Sequence, residues 1–288
     1  MKSVAALYIA LTVLAGSAAA QSDLHAVRRQ MKDALRNTPF GIPLVIESVR
    51  DEGFAQGTAY GELDHPFSTF ALFTDPQVWC DTAFLHLNVK ACVHEKTDDT
   101  EIITLYSGRK FYQSPEKTQT LNYAFKVKNA SDDHLKVELT APEGPLGTGD
   151  YRILLEAVPL SPEQTFLAFS YSYRFGLRAK MAVNAYLSTL GRNKEGFTLV
   201  RENGESQYVQ GFRGIVERNA VRYYYAIEAY LDTLDIDEAR TQKRLERWFE
   251  LTSRHSQLDE LKRQEYLANK MRELKNQQEL QQRIDSAN

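Results

Sequence analysis

Residues 65–95, HPFSTFALFTDPQVWCDTAFLHLNVKACVHE, decide the fold, because the spacing of apolar residues changes inside this stretch. Pro66 and Pro76 each open a short segment whose apolar residues have helical spacing, and proline is tolerated in the first turn of a helix. Asp75 is a residue type that caps such a helix. From Leu85 onward apolar and polar residues alternate, which indicates a strand. The stretch therefore predicts two short helices followed by a strand.

The first part of the chain, residues 1–20, has the composition of a cleavable signal peptide. Lys2 gives it a positive start, an aliphatic run follows, and three alanines precede Gln21. The run is short for a membrane span, which makes an uncleaved anchor the weaker alternative. We therefore expect an exported, periplasmic protein comprising residues 21–288. Loss of Lys2 changes the formal charge from −3 to −4, which argues against a nucleic-acid binder.

The two cysteines of the chain, Cys80 and Cys92, lie on either side of the change in spacing. A pair of cysteines in an exported protein favours a disulfide over the alternative of two separate buried thiols. The bond would close a short loop and stabilise the fold by about 3 kcal/mol. We predict this disulfide.

Strands dominate the first half of the chain. A short N-terminal helix or linker is expected over residues 21–41, and residues 42–63 predict a hairpin with its turn at Glu52-Gly53. Further segments up to Tyr173 alternate apolar and polar residues, which is typical of an antiparallel sheet with one dry face. The predicted dry faces are rich in rings: Tyr123, Phe125, Tyr151, Phe169, Tyr171 and Tyr173.

One strand of the predicted hairpin has a face of small residues. Ala55, Gly57, Ala59 and Gly61 alternate along it. Such a bare face lets another backbone or a bulky partner approach closely. A ligand passing over the strand is one interpretation, and a helix packed closely against it is the one that we favour.

The second half of the chain is predicted to be helical, because no proline follows Pro162 and no glycine follows Gly214. We expect helices over residues 177–190 and 214–234, then a charged helical extension over residues 235–288. The extension either braces the domain or binds a partner. The predicted buried stripe of the long helix is this: Ile215, Asn219, Tyr223, Ile227, Tyr230 or Leu231, and Leu234.

This order of elements, with HPFSTFALFTDPQVW at residues 65–79, resembles the START-like superfamily, also called SRPBCC or helix-grip. The resemblance covers residues 42–234. It implies an α+β fold in which a curved antiparallel sheet grips a long helix and encloses a hydrophobic cavity. Residues 177–211 depart from the family pattern, in which the last strand usually runs straight into the long helix. Either of the two predicted helices is therefore a candidate for the gripped one.

Sequence motifs of common enzymes are missing: the chain has no GxSxG, HExxH, Walker or CxxC pattern. His86, Cys92 and His94 share a predicted strand face, but a disulfide at Cys92 would leave two histidines about 27 Å apart, too far for one metal ion. His86, Glu156 and the Arg218-Asn219 pair are candidates for acid–base catalysis. The alternative is a solvent-facing His86 and a structural Asn219.

A basic segment offers a third kind of site. From Arg174 to Arg222 the chain has nine basic and four acidic residues. The segment is predicted to contact an anionic membrane surface or an anionic ligand, unless it is only a solvated helix face.

These observations favour an exported, non-catalytic carrier of a hydrophobic or amphipathic, lipid-like small molecule, with no cofactor and no metal. A cavity enzyme of cyclase or hydrolase type is one alternative, and a structural protein that binds an unidentified protein partner through its C-terminal helices is another. The residues predicted to line the cavity are these: Tyr123, Phe125, Phe169, Tyr171, Tyr173, Asn219, Tyr223 and Ile227.

Overall fold

An eight-stranded antiparallel sheet forms the body of the protein. The computed structural model describes residues 23–98, 100–188, 194–202 and 205–287, and the predicted signal peptide lies outside them. The strand order is β1-β2-β8-β7-β6-β5-β4-β3. The strands are β1 Leu44–Asp51, β2 Phe54–Leu63, β3 Val89–Thr97, β4 Thr100–Ser107, β5 Gln119–Ala130, β6 Leu135–Glu143, β7 Thr148–Ser161 and β8 Gln164–Phe175, and a separate hairpin contains β9 Leu199–Glu202 and β10 Glu205–Tyr208.

Six α-helices accompany the sheet in the described part of the chain, and none of them is long and apolar enough to cross a membrane. The helices are α1 Leu24–Arg36, α2 Pro76–Phe84, α3 Leu177–Ser188, α4 Gly211–Leu231, α5 Arg240–Thr252 and α6 Arg263–Ala287. The predicted end of α3 at residues 190–191 lies outside the described residues. The sheet curves around α4, so the predicted α+β helix-grip architecture is confirmed, and α4 is the gripped helix.

The small-residue face of β2 receives α4. A Cβ atom on Gly57 would lie 2.6 Å from the carbonyl oxygen of Val216, and one on Gly61 would lie 2.4 Å from the Tyr224 ring. The helix backbone therefore approaches the strand as closely as only glycine allows. Helix packing, the favoured interpretation of this face, is confirmed.

The deciding stretch forms a 3-10 helix, Phe67–Thr74, followed by α2 and β3. The Asp75 side chain accepts the Gln77 N–H and caps α2, as predicted, whereas Pro66 stands at the cap of the 3-10 helix and not inside its first turn. The strand starts at Val89, four residues later than the alternation suggested. The reason is that the His86 N–H bonds the Ala83 carbonyl and continues the turn after α2.

The disulfide between Cys80 and Cys92 is present and joins α2 to β3. Both cysteines are buried, at 0% and 1% exposure. Because the bond closes a loop with a sequence separation of 12, the double variant Cys80→Ala/Cys92→Ala should lose about 3 kcal/mol of unfolding free energy in urea. Reduction of the native protein should cause a loss of similar size. An unchanged midpoint in both experiments would contradict the chain-entropy argument.

The C-terminal helices lie on the domain and act as a brace. Leu245, Trp248 and Leu251 of α5 are buried, as is Tyr266 of α6, whose hydroxyl donates to the Leu85 carbonyl at 2.7 Å. The apolar faces of both helices are therefore already occupied within the chain.

Helix α6 covers the outer edge of β3, where no strand of the described part of the chain is paired. Gln277 accepts the Cys92 N–H at 2.8 Å, and Gln281 both accepts the His94 N–H and donates to the His94 carbonyl. An edge strand presents backbone N–H and C=O groups that can pair with a strand of another chain. The two glutamines of α6 form hydrogen bonds with such groups of β3. Because α6 covers one side of β3 and the core the other, residues 89–93 are all buried and show no alternation.

The outer face of the sheet carries α1, so the N-terminal segment contains a helix. Leu24 and Leu35 are buried with Val158 and Phe166 in a second, smaller apolar cluster. On β5 the alternation fails at its end, where Val127 is 40% exposed. The sheet therefore has two partly dry faces, and only the inner one contacts α4.

Candidate functional site

Partly exposed side chains of α4 face the partly exposed Tyr171 on the inner side of the sheet, and we call the narrow gap between helix and sheet the crevice. Along α4, Ile215, Asn219 and Tyr223 stay partly exposed, while Val216, Ala220 and other residues around them are buried. The three lie on one side of the helix, at i, i+4 and i+8. Tyr223 faces the sheet, since its ring centroid is 5.3 Å from that of Phe169 and 6.5 Å from that of Tyr171. The predicted buried stripe is thus the side of α4 that borders the crevice.

Tyrosines make up much of the crevice wall. The Tyr151 ring stacks on Tyr173 at 5.3 Å, and Tyr123 and Tyr171 lie 6.4 Å and 6.3 Å from Tyr151. Burial, with smaller contributions from the neighbouring phenols, raises the pKa of Tyr123 and Tyr171 well above the ordinary tyrosine value. These side chains are neutral donors at any physiological pH.

Four of these hydroxyls have no hydrogen-bond partner among the described residues. Tyr151 donates to Thr148 Oγ1 at 2.8 Å. No comparable bond is formed by the hydroxyls of four others: Tyr123, Tyr171, Tyr173 and Tyr223. Because a tyrosine hydroxyl without a protein partner can still donate and accept a hydrogen bond, this wall is suited to a molecule with polar atoms of its own.

The deep end of the interior is apolar and nearly closed. A void of about 10 Å³ lies there, which is the space of about one water molecule. Phe169, Tyr223 and Ile227 line it, as predicted for the cavity, but Phe125 packs on Trp79 at 6.4 Å and does not border the void. The other lining residues, which local sequence patterns did not indicate, belong to four elements, α2, β4, β6 and β7: Trp79, Thr82, Ala83, Ile103, Leu105, Leu139 and Ile153.

His86 lies inside the protein, at 5% exposure, so the solvent-facing alternative is wrong. The centroid of its ring is 5.2 Å from that of Tyr223, and the two rings are stacked. The Tyr223 ring also stacks on Phe169. Burial and then the charge of Arg222 lower the pKa of His86 to about 3, against a weaker opposing effect of the nearby Asn219 side chain, which does not reach hydrogen-bond geometry with His86. His86 is therefore a neutral imidazole at physiological pH.

The proton of His86 is fixed by its surroundings. Nδ1 accepts the backbone N–H of Asn88 at 3.1 Å, so the proton is on Nε2. Nε2 is buried and has no partner among the described residues. His86 thus presents a hydrogen-bond donor beside Tyr223, and its low pKa makes it a poor general acid or base.

Glu156 does not join His86. Leu155 and Ala157 point into the main core, whereas Glu156 shares the other side of β7 with Val158 and the α1 cluster. It accepts a bond from His134 Nε2 at 2.8 Å. The two candidates for acid–base catalysis therefore lie on opposite faces of the sheet. The third candidate, Arg218, donates to the carbonyl of Glu195 at 2.8 Å.

Part of the predicted basic segment surrounds one carboxylate. Glu260, only 5% exposed at its side chain, pairs with Arg222 at 2.7 Å, with Lys194 at 3.2 Å and with Lys110. The three cations hold the pKa of Glu260 well below its ordinary value, although burial opposes this. No local pattern in the charged extension indicates that Glu260 lies beside α4.

Helix α3 follows β8 in the chain and exposes apolar side chains. Ala179 is buried, but Leu177 and Met181 are 73% and 63% exposed, and Leu146 in the adjacent turn is 65% exposed. Leu177 and Met181 are one helical turn apart on the outer side. Arg178 and Lys180 are exposed next to them.

Comparisons with known proteins bear on the fold only. No family model and no curated protein sequence matches the chain. Among solved structures, human StAR-related lipid transfer protein 5 is 14% identical, over 57% of this chain and 86% of that chain, with a TM-score of 0.32. Norcoclaurine synthase from Thalictrum flavum is 12% identical, over 51% and 82%, with a TM-score of 0.34.

A third neighbour, Zhui aromatase/cyclase from a Streptomyces species, is 12% identical, over 49% of this chain and 86% of that chain, with a TM-score of 0.32. Such low TM-scores give no information on ligand or activity. The chain has a weak structural resemblance to START and other SRPBCC-type proteins.

Proposed function

We propose that this protein is an exported, non-catalytic carrier of a hydrophobic or amphipathic small molecule, which it holds between the sheet and α4. The observation that carries the proposal is the set of unpaired donors inside an aromatic interior: the hydroxyls of Tyr123, Tyr171, Tyr173 and Tyr223, and Nε2 of His86. A small molecule with an apolar body and a polar group would satisfy both the rings and the donors.

The interior must widen to accept such a ligand. Drug-sized ligands occupy about 300–1,000 Å³, whereas the void next to Ile227 holds about 10 Å³. The Tyr223 ring fills the space between His86 and Phe169. Movement of this ring would join the void to the crevice. Helix α3, which contacts the core through Ala179 and Val183, is the element whose displacement would admit a ligand.

Native mass spectrometry tests the proposal directly. The protein is purified from the periplasmic fraction of cells that express the full chain, and spectra are taken before and after organic extraction. A discrete extra mass that extraction removes would support the carrier. An unliganded mass, with no uptake from a total lipid extract, would overturn it.

The same spectra test export. Cleavage after Ala20 leaves a mature chain that begins at Gln21, and the disulfide between Cys80 and Cys92 is consistent with an oxidising compartment. We expect a periplasmic species with the mass of residues 21–288. The full-length mass, in the cytoplasmic or membrane fraction, would contradict export.

We further propose that the carrier contacts anionic membranes through α3. The variant Arg178→Gln/Lys180→Gln should weaken binding to phosphatidylserine vesicles roughly 30-fold, because each basic residue near such a surface contributes about 1 kcal/mol. Cosedimentation at low salt measures the affinity. The variant Lys32→Gln/Lys96→Gln changes the net charge equally at exposed positions away from α3 and should bind normally.

The apolar part of this surface has its own variant. Leu177→Gln/Met181→Gln should weaken binding at every salt concentration, since the lost contribution is burial of apolar area and not charge. If both α3 variants cosediment like the native protein, α3 does not contact the membrane.

A further inference from the structure

Several segments meet at one end of the crevice, which we call the cationic end: His86, Lys110, Lys194, Asn219, Arg222 and Glu260. Two hydrogen bonds of 2.7 Å between Asn88 and Gly108 join the turn after α2 to the loop that carries Lys110. Trp248 lies 6.4 Å from His86 and donates to the Arg222 carbonyl at 3.0 Å. The turn, the loop and α4 are therefore held against one another.

Two buried donors of the cationic end are unpaired in the described structure. His86 Nε2 and Arg222 Nε each lack a hydrogen-bond partner, and their residues are 5% and 4% exposed. The two donors come from different elements: His86 lies in the turn after α2, and Arg222 lies on α4 directly before Tyr223. Unpaired buried donors next to a crevice are unfavourable unless an acceptor can reach them.

The cationic end also has more positive than negative charges. Among the described residues, Glu260 is the single carboxylate paired with Arg222, Lys194 and Lys110, which leaves an excess of two positive charges in this cluster. Lys110 and Lys194 keep 34% and 19% side-chain exposure, so their ammonium groups are accessible to an anion from solvent. An excess of positive charge in a partly buried place favours an anion.

We infer that the cationic end binds the anionic head group of the carried molecule, a carboxylate or a phosphate, through His86 Nε2–H and Arg222 Nε–H. The inference rests on the proposed carrier function and gives the ligand an orientation. The head group lies between the turn after α2 and α4, and the apolar body extends along Tyr223 and Tyr171.

Binding of a fluorescent fatty acid and of its uncharged ester separates the two ideas. The delipidated mature protein is titrated with cis-parinaric acid and with methyl cis-parinarate. We expect the acid to bind at least tenfold more tightly, because hydrogen bonds to a charged group are among the stronger ones. Competition by oleate and by lysophosphatidate then shows which head group is preferred.

The decisive variant is His86→Phe, which keeps a ring stacked on Tyr223 but removes the donor. It should lose about tenfold in affinity for the acid and nothing for the ester. His134→Phe makes the same chemical change on the other face of the sheet and should leave both affinities unchanged. Lys110→Gln, at a partly exposed site, should weaken binding of the acid in a salt-dependent way.

Each outcome has one meaning. If the native protein binds acid and ester equally and His86→Phe changes neither affinity, the head-group site is wrong and the carrier function stands. If neither probe binds, both are wrong. A loss of affinity for acid and ester alike in a folded His86→Phe variant would show that His86 only shapes the interior.

Discussion

The variant Glu273→Gln should lose about 3–5 kcal/mol of unfolding free energy at neutral pH. Glu273 of α6 is fully buried and pairs with Lys90 at 3.0 Å and with Lys270 at 3.1 Å, and both lysines are buried too. An amide of the same shape would leave two ammonium groups without a counter-charge. Removal of one partner from a buried ion pair has a cost of this size. Urea denaturation measures it.

The pH dependence of the loss identifies its cause. Burial lowers the pKa of Lys270 to about 7, although Glu273 opposes the shift. A lysine whose pKa is lower in the folded state lets stability rise with pH between the folded and the unfolded pKa. Without Glu273 this interval extends to lower pH. The variant should therefore be less impaired at pH 9.5 than at pH 6.

Two control variants bracket the result. Lys270→Met removes the excess cation and leaves the neutral pair of Lys90 and Glu273, so its stability should stay within about 1 kcal/mol of the native value. Glu279→Gln changes an exposed pair with Arg283 on the same helix and should have almost no effect. If Glu273→Gln loses no more unfolding free energy than Lys270→Met, the ion pairs of Glu273 do not stabilise the contact between α6 and β3.

Local patterns in the sequence were sufficient for much of the fold. The turn at Gly53, the cap at Asp75 and the disulfide partner of Cys80 depend on neighbours in the chain or on the compartment, and the structure has all three. Likewise, the glycine face of β2 indicated a close helix, because a bare strand is hard to explain otherwise.

The candidate site was harder to predict, since its residues acquire their roles from distant segments. Alternation placed His86 on a strand, yet the turn after α2 continues through it and turns its ring toward Tyr223. Glu260 lies in a segment with balanced charge, where nothing indicates that three cations from elsewhere meet it. Periodicity reports which side of an element is apolar and not which other element will cover it.

The position of α4 depends on Gly57, and Gly57→Ala should lose about 3 kcal/mol of unfolding free energy. The added methyl group would lie 2.6 Å and 2.7 Å from the oxygen and carbon of the Val216 carbonyl, which is backbone and cannot rotate away. Helix and strand must therefore separate, and we expect a free-energy cost at the upper end of the range for overpacked cores. Gly176→Ala is the matched control, because its nearest neighbour would be 3.5 Å away, and it should stay within about 0.5 kcal/mol.

The same substitution should also change ligand binding, because α4 carries Asn219, Arg222 and Tyr223. Displacement of Val216 from β2 shifts α4 and these side chains, while His86 and the sheet stay in place. The distances across the crevice therefore change. The affinity for cis-parinaric acid should therefore fall in the fraction of Gly57→Ala that remains folded, while Gly176→Ala binds normally. Unchanged affinity in folded Gly57→Ala would mean that the ligand does not depend on α4, and so that the crevice between α4 and the sheet is not where it binds.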